Sequence, residues 1–331
     1  MNSKGVLHGN PIALSFFVTS LSWQPPLREG HSGNQELLLS VGYSNGTLGF
    51  TKDISISSSF SLQKQKSIQE AHQGAITSIK WDRDGASLAS GGADGTVKIW
   101  SKTGHLRSNL AAFSQAVHCL AWNQDGDFIA VAHGGAVSLI QTQLRGETLR
   151  LQVSQQEETT TTTTTTSVEN VLALDWSRGT DLIVCGGENC RYIIYDKEGH
   201  TLFTSELLSD PILSLTWSPN GDLFTVGYFG KILLSNQMGY VYTTQSTRNN
   251  SSSVIQATWS KEQSHLIATC CDGSTMRVDL VGKSTEWNIY SAEMIDNTSI
   301  YVSNHTSGAT GAGTGTSNDC QNMDDKIEFP V

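Results

Sequence analysis

HQGAITSIKWDRDGASLASGGADGTVKIWSKTG, residues 72–104, holds the pattern on which the fold turns. Ser78-Ile79-Lys80-Trp81 is a short apolar segment closed by Trp. Asp82-Arg83-Asp84-Gly85 then reads as a turn, because Asp-Gly supplies the positive φ that a tight hairpin needs. Leu88-Ala89-Ser90 reads as a second strand and Ala93-Asp94-Gly95 as a second turn. Thr96-Val97-Lys98-Ile99-Trp100 reads as a third strand, and Leu106-Arg107-Ser108-Asn109-Leu110 as a fourth, more polar one.

The same unit recurs along the chain. Apolar segments end at Trp23, Trp81, Trp122, Trp176, Trp217 and Trp259, spaced by 58, 41, 54, 41 and 42 residues. The short spacings fit one four-stranded propeller blade of roughly 40–45 residues. The long ones hold insertions, a Ser-rich stretch near Ser55 to Ser61 and the run Thr159 to Thr166. Such a sheet cannot bury both faces alone, whereas radial stacking buries them and leaves only short edges. The expected fold is therefore an all-β propeller over residues 1–303. Its six recognisable four-stranded blades lie near 17–69, 75–112, 116–154, 170–206, 211–245 and 253–292. A loop at 155–168 holds the threonine run, which has no apolar face to bury. The Gly/Ser/Thr-rich tail at 304–331 is expected to be disordered. Gly311-Ala312-Gly313-Thr314-Gly315 is part of that low complexity and not a phosphate loop, since it neither follows a strand nor opens a helix.

The unit over 72–104 carries the marks of WD40 repeats, and the resemblance implies a buried set of four residues. In it the Asp94 carboxylate accepts from the His72 ring, whose other nitrogen meets the Ser90 hydroxyl, which meets the Trp100 N–H. Each buried polar group thereby finds a partner. At the position of Trp100 the other units have Thr51, Ile140, Tyr195, Ser235 and Val278, so those units must rely on apolar packing. Finer detail in Glu70–Ala75, Val97–Ser108, Asp181–Cys190 and Pro211–Phe224 resembles the intraflagellar transport protein 80 family, WD40 subunits of intraflagellar transport complex B. Lys102-Thr103-Gly104 is the most family-specific piece. Members look like two propellers followed by a helical tail. The resemblance therefore implies a short form, a seven-blade ring lacking one blade.

Chemistry is sparse. No H-E-x-x-H, G-x-S-x-G, P-loop or paired C-x-x-C motif occurs. His118 and Asp175 lie on inner strands, but one or two such groups are too few for a metal site. Neither a catalytic residue nor a cofactor is expected. The six cysteines form no C-x-x-C pair, which suits a reducing compartment. Ala13 to Val18 has some character of a signal peptide, yet Phe17 to Trp23 falls in register with the repeat. No apolar run approaches the ~18 residues of a membrane span. The net charge of −10 repels a phosphate backbone, so neither nucleic acid nor membrane insertion is expected. The resemblance implies a non-enzymatic protein-docking scaffold with other complex B subunits as partners, in the cytoplasm, ciliary base and cilium. The alternatives are another WD40 trafficking-coat scaffold and, from a different class, a propeller hydrolase or lactonase.

Overall fold

Alternating apolar residues closed by Trp, and hairpins turned on glycine, give short antiparallel strands. The computed structural model describes residues 16–25, 38–53, 62–142, 148–152, 169–247 and 252–280, with the backbone alone of four strands between 284 and 328. The threonine run, the Ser55 to Ser61 insertion, Ala13 to Ser15 and Gly311 to Gly315 lie outside the described residues. Two compact units are present, Met1–Val278 and Asp279–Val331.

The first unit holds six consecutive sheets and is a β-propeller. Blade one is β1 (Val18–Trp23), β2 (Leu38–Tyr43), β3 (Leu48–Asp53) and β4 (Leu62–Ile68). Blade two is β5 (Ile76–Trp81), β6 (Ser87–Gly92), β7 (Thr96–Ser101) and β8 (Leu106–Ala112). Blade three is β9 (Val117–Trp122), β10 (Phe128–His133), β11 (Ala136–Gln141) and β12 (Thr148–Gln152). Blade four is β13 (Val171–Trp176), β14 (Ile183–Gly187), β15 (Tyr192–Tyr195) and β16 (Thr201–Thr204). Blade five is β17 (Ser214–Trp217), β18 (Leu223–Tyr228), β19 (Lys231–Asn236) and β20 (Val241–Ser246). Blade six has three strands, β21 (Val254–Trp259), β22 (His265–Cys270) and β23 (Thr275–Asp279). Within each blade the strands pair in chain order. Gly85 and Gly221 turn their hairpins at φ of 63° and 84°.

In the second unit, β24 (Ser284–Trp287), β25 (Tyr290–Met294), β26 (Ser299–Asn304) and β27 (Asp325–Glu328) make a separate four-stranded sheet. This corrects two expectations. The range given to blade six, 253–292, runs across two sheets, and at least one stretch of the tail, Asp325–Glu328, is strand. The physical reason is weak patterning. Ser284-Thr285-Glu286-Trp287 ends in Trp but has no apolar run ahead of it, and β27 is mostly charged.

The core of the propeller is a series of slabs, one between neighbouring blades. Leu48 and Phe50 of blade one pack with Ile76, Ile79 and Trp81 of blade two. Ala89, Val97 and Ile99 of blade two pack with Val117 and Leu120 of blade three. Two further slabs join blades three and four, and blades four and five. In blade two the second strand is more buried than the first. First strands show some residues, such as Lys80, to solvent.

The first strands of successive blades adjoin. A serine three residues before Trp joins them. Ile79 N–H donates to Ser20 Oγ (3.1 Å), Leu120 N–H to Ser78 Oγ (3.2 Å) and Ala257 N–H to Ser214 Oγ (3.0 Å). Opposite these serines stand Gly42, Gly91 and Gly227. Close approach is the reason for glycine: a Cβ on Gly91 would fall 2.5 Å from Val117 of the next blade, and one on Gly227 2.7 Å from Val254.

The outer blades break the pattern. Leu21, two residues before its Trp, is 54% exposed, while Ile79, Leu120, Leu174 and Leu215 at the same position are at most 8% exposed. Trp23 is also 45% exposed, so it is not the core anchor its repeat position suggests. Those counterparts are covered by a preceding blade. At the other end Ile267 is 48% exposed, where Ala89, Ala130, Val184 and Thr225 are at most 1% exposed. Leu120→Ala should therefore cost about 2–5 kcal/mol, as for a buried Leu, and Leu21→Ala less than about 1 kcal/mol. Urea unfolding of the two variants checks this, and equal losses would mean that the leading face of blade one is covered.

Candidate functional site

Blade two brings His72, Ser90, Asp94 and Trp100 together. His72 precedes β5, Ser90 lies within β6, Asp94 turns the β6–β7 hairpin and Trp100 nears the end of β7. Trp100 Nε1–H donates to Ser90 Oγ (2.8 Å), and the Ser90 hydroxyl lies 2.7 Å from His72 Nε2. His72 Nδ1 lies 3.1 Å from Asp94 Oδ1 and 2.9 Å from Thr96 Oγ1. One assignment satisfies every donor: His72 is neutral with its proton on Nδ1, and the Ser90 hydroxyl donates to Nε2.

Asp94 is the hub. Its carboxylate accepts the Gln73 N–H (2.8 Å), the Thr96 N–H (3.0 Å) and the Thr96 hydroxyl (2.8 Å). Burial works to raise its carboxyl, but the Thr96 and Gln73 N–H groups with His72 hold it well below the usual carboxylate range. Burial pushes the His72 ring below its ordinary value, against the pull of Asp94, which keeps it neutral near pH 7. Thr96 and the Gln73 N–H escaped the sequence reading. Asp94-Gly95-Thr96 carries the signal, since an Asp side chain often caps the N–H two residues on.

Other blades fill the corresponding positions differently. Strand registers put Thr51, Ile140, Tyr195 and Ser235 opposite the residues that correspond to Leu88, the partner of Trp100. In blade three His133 Nε2 lies 2.9 Å from Ser138 Oγ, and its ring stacks on Phe113 at 3.8 Å. Trp122 and Trp259 donate their indole N–H to the backbone oxygens of Lys80 (2.9 Å) and Thr216 (3.3 Å) in the preceding blade. Trp81, Trp176 and Trp217 are buried in the slabs.

The inner-strand groups serve the scaffold. Asp175 takes the Trp217 N–H (2.8 Å), joining blades four and five, where Ala173 stands in place of the serine three residues before Trp. Burial raises the Asp175 carboxyl above its usual range, working against Lys80, the Trp217 N–H and Arg178. Burial pushes the Cys119 thiol up to about 12, so it is no nucleophile at neutral pH. His118 lies beside it on β9, half-buried. Among the described residues no group of three or more His, Cys, Asp or Glu is placed to hold a metal ion.

Two outcomes follow from these environments. Asp94→Ala strands a buried His and Ser and should cost about 1–3 kcal/mol, while Phe229→Ala, at an exposed turn of blade five, costs little. A thermal melt of Asp94→Ala matching the parent would show that the network adds nothing. Asp175 behaves oppositely. Its raised folded pKa gives stability that is fully present below about pH 4 and is lost as pH rises through the folded value. Asp175→Asn keeps an acceptor for Trp217 without the charge. It should therefore melt above the parent at pH 7.5, with the gap closing near pH 4. A gap independent of pH would contradict the raised carboxyl.

Comparisons with known proteins agree with this geometry. The model described as WD domain, G-beta repeat matches residues 63–101, from β4 of blade one to the end of β7 in blade two. The model described as Eukaryotic translation initiation factor eIF2A matches residues 111–296, from the end of blade two through blade six and into the second unit. The chain is 30% identical over 240 residues to the Intraflagellar transport protein 80 homologs of Mus musculus and Rattus norvegicus, covering 72% of this chain and 29% of each relative. It is 28% identical over 118 residues to F-box-like/WD repeat-containing protein TBL1X of Mus musculus, over 36% of this chain and 20% of that protein. The chain thus spans less than a third of the length of the intraflagellar transport relatives. The resemblance to intraflagellar transport protein 80 runs through most of its length, and the match over 111–296 covers more than half of it. The chain is a WD-repeat β-propeller that belongs to the propeller family of the eIF2A model and is similar in sequence to the intraflagellar transport protein 80 homologs.

Proposed function

We propose that this chain is a non-enzymatic docking module of intraflagellar transport, binding other subunits of complex B at the ciliary base and along the cilium. The observation that carries the reading is the 30% identity to Intraflagellar transport protein 80 homologs over 72% of the chain. The chemistry of the blades supports a scaffold. The buried titratable groups His72 and Asp175 are engaged in joining strands and blades, and the Cys119 and Cys185 thiols are both raised by burial. The loops at the two rims are the surfaces for partners, because a rigid frame carries function on its loops. No helix of the described residues is long and apolar enough to cross a membrane.

A second reading comes from the name of the model over 111–296, which belongs to a translation initiation factor. A docking scaffold on the translation machinery would share the same frame. The net charge of −10 disfavours direct contact with RNA there. A tagged chain in ciliated cells separates the two. It should concentrate at the ciliary base and axoneme and co-purify with complex B subunits. Recovery of translation factors, or a diffuse signal with no complex B subunit, would overturn the intraflagellar reading.

A further inference from the structure

Among the described residues the fourth strand of a blade has a neighbour on one side only. Its other edge presents backbone N–H and C=O groups in a row, which templates the addition of another strand. Proteins guard such edges with charge, bulges or shortness. Here β4 carries Lys64 and Lys66, β8 carries Arg107 with two register shifts beside it, and β12 carries Arg150. The strand β16 is only four residues long.

β20 has little of this protection. Val241-Tyr242-Thr243-Thr244-Gln245-Ser246 contains no charge and no proline. All six residues are exposed. The strand keeps unbroken register with β19 from Thr243 to Ser246, and its one irregularity lies at its start, beside Ser235. Its first four residues are β-branched or aromatic, types that favour extended backbone.

The edge is also firmly mounted. Gly239, in the turn that leads into β20, lies against the Phe203 ring of blade four. The Tyr192 hydroxyl donates to Gly239 O (2.9 Å), fixing the turn to that blade. Met238 and Tyr240 flank Gly239, Leu202 adjoins Phe203, and all three are exposed. The edge therefore begins beside a group of apolar side chains drawn from two blades. A preorganised edge loses little freedom on binding.

We propose that the free edge of β20 docks an extended, uncharged segment of a partner protein, rich in β-branched residues, which joins blade five as a fifth strand. The edge itself selects the occupant. Only an extended backbone matches a row of alternating donors and acceptors. Charged side chains on the added strand would lie among Val241, Met238 and Tyr240 with no counter-charge on β20. The proposal rests on the docking reading and names a surface for it.

The test uses the full chain and a peptide of about ten residues that alternates Val and Thr between terminal lysines, a length typical of strands. A second peptide carries N-methyl groups at alternate residues, which removes backbone donors and keeps the side chains. Amide resonances report the site, and fluorescence anisotropy reports affinity. The first peptide should shift Val241–Ser246 saturably, and N-methylation should weaken it about tenfold or more. The double variant Val241→Lys, Thr243→Lys should weaken it as much at an unchanged melting temperature, since both side chains are exposed. Absence of saturable binding, or binding indifferent to N-methylation and to the lysines, overturns the proposal. A negative peptide result with complex B subunits still recovered removes the edge alone. Peptide binding without complex B upholds the edge and removes the intraflagellar reading.

Discussion

The seating of each first strand on the middle strands of the preceding blade is the contact on which the rest of this propeller depends. Ile79, Leu120, Leu174 and Leu215 are each buried at that seam. A fully buried side chain of this kind contributes about 1.5–3 kcal/mol, and every seam holds several. The same seam satisfies backbone groups. Ser20, Ser78 and Ser214 accept N–H groups from the next blade, and Asp175 does so between blades four and five. The glycine opposite each of those serines lets Ile76, Val117 or Val254 approach. Stability is thus shared between neighbours, and a blade without a neighbour leaves apolar surface bare, as Leu21 and Ile267 show.

The polar network of blade two is an addition to this packing, not its foundation. His72, Ser90, Asp94 and Trp100 tie the approach to β5, the second strand, the second turn and the third strand into one unit. Blade three has Val131 where Ser90 stands, its His133–Ser138 pair lying at the positions of Gly92 and Lys98, and blades four and five have Tyr195 and Ser235 where Trp100 stands. Those blades fill the space with apolar groups instead. Tyr192 meets Phe224 of the next blade edge-on at 5.4 Å, and Trp217 packs on Phe224 at 4.9 Å. Apolar packing tolerates exchange of side chains of similar volume. A hydrogen-bonded set does not, because removing one member strands the rest. The repeat model matches residues 63–101, which hold all four members of the set.

Much of the fold was legible because two local rules coincide in five of the six units, blade four being the exception: an apolar strand closed by Trp, and a turn holding Asp-Gly or Asn-Gly. The four residues of blade two were legible because type and spacing agreed together. Three features were not. The serine three residues before Trp was visible in Ser20, Ser78 and Ser214, but its role appears only when the next blade is in place. The second sheet over 284–328 has no strong apolar alternation, so its first strands fall within the range expected for blade six and its last within the expected tail. Exposure of Trp23 depends on whether a preceding blade covers it, a tertiary fact that the repeat itself does not encode.

The chemistry of the site follows from the same economy. Asp175 on an inner strand and His72 ahead of β5 are buried titratable groups, and each is engaged in holding strands together. Asp94 is locked as an acceptor by four donors, and His72 is held neutral by burial, so neither exchanges a proton readily near pH 7. A frame whose buried titratable groups are engaged in this way offers hydrogen-bonding groups to others at its rims and outer edges. Most of those edges carry charge or are short; β20 does neither. On the proposed docking reading, the backbone edge of blade five is the part of the propeller shaped to hold an extended chain.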